Sequence, residues 1–199
     1  MRPQKEEPKV TEVILFHHAQ GLTAGVQAFA DELRAAGHSV TVPDLYEGAT
    51  FATVDEGVAH ARSIGFGELA DRGVKAAESL PERIVYAGFS LGAMPAQQLA
   101  QTREGALGAL LYHAAFPASE FGESWPNQVA LQVHMMENDP WSEEDRPAAE
   151  ELVANAADAE LFIYPGSAHL FTDSSLAEYD ADAAKLVLQR TIDFLGRCS

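Results

Sequence analysis

Three side chains, far apart in the chain, are of the types that together make a nucleophile out of a hydroxyl. Ser90 stands in Gly88-Phe89-Ser90-Leu91-Gly92, a Gly-x-Ser-x-Gly pentapeptide. In a chain with 15 Gly among 199 residues, that pattern arises by chance only about 0.06 times. An apolar run, Ile84 to Ala87, precedes it, and an Ala/Gln/Leu-rich run follows. This is the context of a nucleophile elbow, a sharp strand-to-helix turn that lifts the serine hydroxyl above a sheet. Its glycines are required where a Cβ would strike the neighbouring backbone. The helix behind it points its N-terminus at the reacting carbonyl, and the Leu91 N–H is placed to hold an oxyanion. The alternative is an ordinary Gly-rich turn between a strand and a helix.

A serine hydroxyl needs a neighbouring base, and imidazole titrates near the working pH. A carboxylate then fixes the imidazole tautomer and stabilises the imidazolium that forms. Asp139 follows a β-type run directly and precedes Pro140; His169 lies in Pro165-Gly166-Ser167-Ala168-His169, after the last such run. Taken singly, Asp139 reads equally as a cap and His169 as a surface imidazole. Together, in the order Ser-Asp-His and each beyond a strand end, they read as a catalytic triad. Asp145 is the next acid in line, although the Glu143-Glu144-Asp145 run reads first as a solvated helix start. His18, His113 and Trp141 are candidate pocket residues. His134 falls within a strand and reads as core. His17 and His18 suggest no metal, because adjacent side chains diverge and no acidic residue is expected beside them.

The elements that must position these groups alternate. Lys9 to Phe16 reads as a strand, Ala24 to Ala36 as a helix ended by Gly37, and His38 to Val42 as a strand. Val54 to Ile64 is a weak helix and Glu68 to Ser79 a stronger one, flanked by Gly65 and Gly67. After the elbow, strands are expected at Ala106–Tyr112, Gln128–Met136 and Glu160–Tyr164. Helices are expected at Glu144–Ala157 and Asp180–Leu195. Strands alternating with helices predict an α/β fold, a mostly parallel central sheet with helices on both faces and minimal or no lid. Ligands in such folds bind beyond the carboxyl ends of the strands. Residues 1–8 read as a flexible tail and 9–199 as one domain.

The bulk numbers set limits. The length suits one domain, and 47% hydrophobic residues suit a folded core. The formal charge of −17 opposes nucleic acid and anionic membranes. No apolar run has the length of a membrane span, and a cytoplasmic protein is expected. The single Cys198 rules out an intrachain disulfide and a thiolate-rich metal site. No cofactor is implied, and the expected partner is a small-molecule substrate.

Together these stretches resemble the dienelactone hydrolase family of α/β-hydrolases. The resemblance is carried by His18-Ala19-Gln20-Gly21-Leu22, Pro43-Asp44-Leu45-Tyr46, the Gly88–Gly92 elbow, Asn138-Asp139-Pro140 and Gly166-Ser167-Ala168-His169. It implies an α/β-hydrolase fold, hydrolysis of a small ester or lactone through an acyl-enzyme, and a second oxyanion donor at the Ala19 N–H, with Gln20 as the fallback. Other readings are a thioesterase or C–C hydrolase on the same triad, or a non-catalytic binding module on that fold. Three departures stand out. The name-giving members use Cys where this chain has Ser90, and a Glu in the first loop where it has His18. They also carry a carboxylate-binding Arg where it has Asp173. With Asp173 there and a strongly negative chain, neutral substrates are expected over anionic ones, unless Arg62 or Arg72 reaches the site.

Overall fold

The computed structural model describes residues 10–198, so the expected tail, residues 1–8, lies outside the described residues. Six strands form one sheet in the order β2-β1-β3-β4-β5-β6, every neighbouring pair parallel. They are β1 Glu12–Phe16, β2 Ser39–Thr41, β3 Ile84–Phe89, β4 Ala106–Tyr112, β5 Ala130–Met136 and β6 Ala159–Tyr164. The helices between them are α1 Ala24–Ala35, α2 Val54–Ile64, α3 Phe66–Ala77, α4 Ala93–Thr102, α5 Pro140–Asn155 and α6 Ala181–Arg197.

Successive strand residues point to opposite faces, and both faces are apolar. Ile14, Phe16, Tyr86, Leu111 and Val133 pack with Leu69, Ala96, Leu99, Ala149 and Leu152, so α3, α4 and α5 cover one face. Val13, Leu15, Val85, Leu110 and Tyr112 pack with Val26, Phe29, Leu33, Val187 and Phe194, so α1 and α6 cover the other. The continuous hydrophobic runs legible in the sequence are therefore strands covered on both sides.

Element ends differ from expectation where turn chemistry decides them. Helix α5 begins at Pro140, four residues before the expected Glu144. Proline at its first turn has φ pre-set for a helix, and the Asp139 side chain caps it by accepting the Trp141 and Ser142 N–H groups. Gly67 lies inside the first turn of α3, and only Gly65, at φ 102°, separates α2 from α3. Strand β1 starts at Glu12, with Lys9 outside the described residues.

Beyond β1 the chain steps outward to β2, then returns to the other side of β1 as β3. The order reverses between β1 and β3. This crevice, outside the carboxyl ends of the two strands, is where open α/β sheets bind ligands. The loop after β1 carries His17 to Leu22, and β3 ends at the elbow.

Candidate active site

Ser90 follows the last residue of β3 and opens a 3₁₀ turn, Ser90–Gly92, with φ of 48°, a left-handed conformation rare for a residue with a side chain. The turn closes only because both flanking glycines lack a Cβ. At Gly88 a Cβ would stand 2.0 Å from the Gly92 carbonyl oxygen; at Gly92 it would stand 2.5 Å from that of Phe16. Such contacts are far inside van der Waals distance, so the elbow tolerates glycine alone at both positions.

The Ser90 hydroxyl lies 2.8 Å from His169 Nε2, and His169 Nδ1 lies 2.7 Å from Asp139 Oδ2. Three loops, after β3, β5 and β6, thus bring Ser, His and Asp into one hydrogen-bonded line. His169 and Asp139 are buried, and Ser90 is half-buried. The His169 loop is fixed by its own N–H, which donates to Glu178 Oε2 at 3.1 Å. Burial alone would raise the Asp139 pKa. The bonds from His169, Ser142 and the Trp141 backbone outweigh it and hold the carboxyl below its ordinary value.

Ser142 is a member of the site that the sequence does not single out. It is fully buried, and its hydroxyl donates to Asp139 Oδ2 at 2.6 Å, the same oxygen that faces His169. The only sequence signal for it is a serine three residues after a helix-capping Asp. Ser142→Ala should cost about 2 kcal/mol, the scale of a hydrogen bond to a charged group, and lower Tm at pH 7 by several degrees. Asp139 has a depressed folded pKa, so its stabilisation is present above the unfolded value and lost as pH falls through the folded one. The Tm difference should therefore narrow as acidification protonates Asp139, below the ordinary carboxylate range. A gap that persists once Asp139 is protonated would show that Ser142 acts independently of the carboxylate charge.

Asp145 is not the acid that meets His169. Because α5 starts early, Asp145 lies half-buried beside the Ala115 backbone, a correction to its reading as part of a solvated run. Burial pushes its carboxyl up to about 6, against the Ala115 backbone and His169, which pull it down. A carboxyl whose folded pKa is raised loses stability as pH rises through that value. Asp145→Asn should accordingly raise Tm at pH 8, with the gain fading between pH 6 and pH 4. A gain independent of pH would sever it from the ionisation.

The loop after β1 forms a tight turn, with the Gly21 N–H on the His18 carbonyl. The Gln20 N–H donates to His18 Nδ1 at 3.2 Å, which occupies the fallback oxyanion donor. Among the described residues no hydrogen bond engages the Ala19 or Leu91 N–H. Helix α2 presses on this turn: a Cβ on Gly57 would stand 2.0 Å from the Ala19 carbonyl oxygen.

The pocket candidates divide. Trp141 is 41% exposed and its ring centroid lies 5.7 Å from that of His169, at the site's surface. His113 and His18 are about 1% exposed, so neither ring is open to a ligand as expected of a pocket residue. His113, at φ 70°, lies beneath His169 with ring centroids 5.9 Å apart; its Nε2 pairs with the Thr172 hydroxyl at 2.8 Å. Burial holds its pKa well below the ordinary imidazole value, so it is neutral. His134 is core, bonded to the Tyr164 hydroxyl, and burial lowers it to about 3.

Acidic side chains do lie beside the histidine pair, contrary to the expectation. Asp173 Oδ2 is 2.8 Å from His18 Nε2, and Asp44 Oδ1 is 3.7 Å from His17 Nε2. His17 is a structural neutral ring: Nδ1–H donates to the His18 carbonyl and Nε2 accepts the Leu45 N–H. Burial lowers its pKa to about 4. Among the described residues no group of three or more His, Cys, Asp and Glu is arranged to hold a metal. Asp173 itself is 3% exposed, so it does not present its charge to an arriving substrate as expected. Arg72 bonds to Glu68 and to the Leu45 carbonyl, and Arg62 lies on the exposed side of α2.

The sequence profile of the dienelactone hydrolase family matches residues 1–199. Among curated proteins none matches. Solved structures similar to this chain include a dienelactone hydrolase-like promiscuous phosphotriesterase from metagenomic libraries, 18% identical, with a TM-score of 0.72, covering 98% of this chain and 89% of that one. A dienelactone hydrolase from Anabaena variabilis is 19% identical, with a TM-score of 0.66, covering 94% and 87%. Thermogutta terrifontis esterase 2, in a structure phosphorylated by paraoxon, is 17% identical, with a TM-score of 0.61, covering 98% and 85%. At such identities the likeness shows a common fold, the α/β-hydrolase fold. No helix among the described residues is long and apolar enough to cross a membrane.

Proposed function

The chain belongs to the dienelactone hydrolase family of ester-bond hydrolases, and from that premise we propose that it is a serine hydrolase that cleaves a small ester or lactone through an acyl-enzyme. The observation that carries this reading is the unbroken line from Ser90 Oγ through His169 to Asp139 on a left-handed elbow. His169 Nε2 takes the hydroxyl proton as Ser90 attacks the acyl carbon. The tetrahedral oxyanion forms against the Leu91 and Ala19 N–H groups, neither of which has another partner among the described residues. As the intermediate collapses, His169 returns the proton to the leaving oxygen. Water then attacks the acyl-Ser90 ester by the same route. Asp139 holds the imidazole in the tautomer that leaves Nε2 free to accept.

All three groups extend from strands of one sheet, which supports reading the chain as one catalytic domain. The low exposure of Asp173 removes one argument for neutral substrates. The formal charge of −17 remains, and small neutral esters are the substrates of choice.

A fluorophosphonate probe tests the reading without knowledge of the substrate. It should label the protein once, at Ser90 by mass spectrometry, and pretreatment should abolish hydrolysis of p-nitrophenyl acetate. Labelling at another serine would overturn Ser90 as the nucleophile, and no labelling would leave the fold as a binding module. A panel of ester, lactone, thioester and C–C substrates then separates the chemistries that share the triad.

A further inference from the structure

We propose that His18 and Asp173 are positioning residues, a second histidine–carboxylate pair that locks the turn carrying the Ala19 N–H to the loop carrying His169. This rests on the reading above, in which that N–H holds the oxyanion.

The two loops follow β1 and β6, and β3, β4 and β5 lie between those strands. No single ladder of the sheet therefore joins the strand before the oxyanion turn to the strand before the catalytic base. The pair spans this gap directly. His18 Nδ1 accepts the Gln20 N–H at 3.2 Å, and Nε2 lies 2.8 Å from Asp173 Oδ2. A ring that accepts at Nδ1 carries its proton on Nε2, so the bond to Asp173 has a defined donor. Asp173 is four residues beyond His169 and is itself held rigidly. Oδ2 also accepts the Thr23 hydroxyl, while Oδ1 accepts the Ser175 N–H at 2.8 Å and the Ser175 hydroxyl at 2.6 Å. Helix α1 closes over it, since a Cβ on Gly25 would stand 1.7 Å from Oδ1. Burial alone would raise the Asp173 pKa; the bonds from His18, Ser175 and Thr23 outweigh it and hold the carboxyl at about 2. It is ionised throughout the working range. On the other side, the turn is backed by α2 at Gly57 and by paired bonds between Gln20 and Phe51.

A buried polar pair of this kind is weak as a stabiliser compared with apolar packing, but it fixes one register. The register it fixes here is that of the Ala19 peptide, one residue from the bond His18 accepts. Asp173→Asn exposes this role. The Ser175 N–H pins the amide oxygen at the Oδ1 position, so the amide NH₂ replaces Oδ2 and faces His18 Nε2. The ring must then take its proton on Nδ1, where it meets the Gln20 N–H, donor against donor. The isosteric change is carried through the ring into the oxyanion turn.

The test uses p-nitrophenyl acetate and its thiono analogue, in which sulfur replaces the carbonyl oxygen. Sulfur accepts hydrogen bonds poorly, so a working oxyanion hole favours the oxygen ester. In Asp173→Asn, kcat on the oxygen ester should fall about 10- to 100-fold with KM within about twofold, somewhat less than deletion of one donor. The thionoester rate should fall far less, so the oxygen-to-sulfur ratio shrinks. His18→Gln, which keeps a donor towards Asp173 and loses the Nδ1 acceptor, should shrink it as well. Thr23→Val, which removes one bond to Asp173 together with the α1 cap, loosens the carboxylate and should shrink the ratio to a smaller extent if neither of these variants folds. Folded variants with the wild-type ratio would overturn the proposal and leave the pair a structural strut. Undiminished hydrolysis by Ser90→Ala would instead overturn the triad reading, and this one with it.

Discussion

Ser90→Ala is expected to lower kcat on a p-nitrophenyl ester by on the order of 10⁴ or more, with the fold and melting temperature intact. The hydroxyl is the only atom removed, and its hydrogen bond is to His169 Nε2. Alanine also suits the left-handed backbone at Ser90 no worse than serine does, so the loss belongs to chemistry. His169→Ala should cost a similar factor, because a serine hydroxyl without a base is a poor nucleophile at neutral pH. The double variant should then be little worse than either single one. Groups that act in one step are lost once, whereas groups that act independently lose in proportion. Multiplied losses in the double variant would show that one of the two supports folding only. An active Ser90→Ala protein would remove the acyl-enzyme altogether.

How much of this is legible in the sequence follows the range of the interactions. Ser90, Asp139 and His169 each lie just beyond an apolar run, so strand periodicity alone places them at one edge of a sheet. The elbow glycines carry their reason in the same five residues. Helix starts are harder to read: Asp139 and Pro140 suggest an acid and a stiff turn, although an N-cap and a first-turn proline also begin a helix. The difference displaces α5 by a turn and puts Asp145 on the solvent side, when the helix in fact presses it against Ala115. The His18–Asp173 pair is out of reach for a different reason. Its members are 155 residues apart, and nothing local to either marks the other. Both positions stand out only as departures from the family pattern, a Glu and an Arg replaced by a His and an Asp. The fold shows that they meet, so that two differences read separately in the chain form one contact.

Asp139→Asn is expected to lower kcat by about 10³- to 10⁴-fold while keeping the helix cap and losing only the bonds to the carboxylate charge, about 2 kcal/mol, and Asp139→Ala to lower stability further. The contrast arises because Asp139 has two tasks in one carboxylate. As the cap of α5 it accepts the Trp141 N–H at Oδ1 and the Ser142 N–H at Oδ2, and asparagine caps a helix about as well as aspartate. As the partner of His169 it must accept Nδ1–H at Oδ2, where the Ser142 hydroxyl also donates. In the asparagine variant, the Trp141 N–H at 3.1 Å and the His169 and Ser142 donors at 2.7 and 2.6 Å compete for a single amide oxygen. An amide NH₂ turned to His169 leaves Nδ1 as the acceptor and puts the proton on Nε2, facing the Ser90 hydroxyl it should deprotonate. An amide oxygen turned to His169 keeps the tautomer but lacks the charge that stabilises the imidazolium. Either way the base is weakened and the helix keeps its start. Alanine removes the cap as well, at about 1 kcal/mol, and leaves the His169 and Ser142 donors without an acceptor. Thermal melts of the two variants beside wild type, read with kcat at pH 7, separate the tasks. An asparagine variant that melts like wild type and also hydrolyses like it would show that Asp139 is a cap alone, and Asp145 would become the acid to examine.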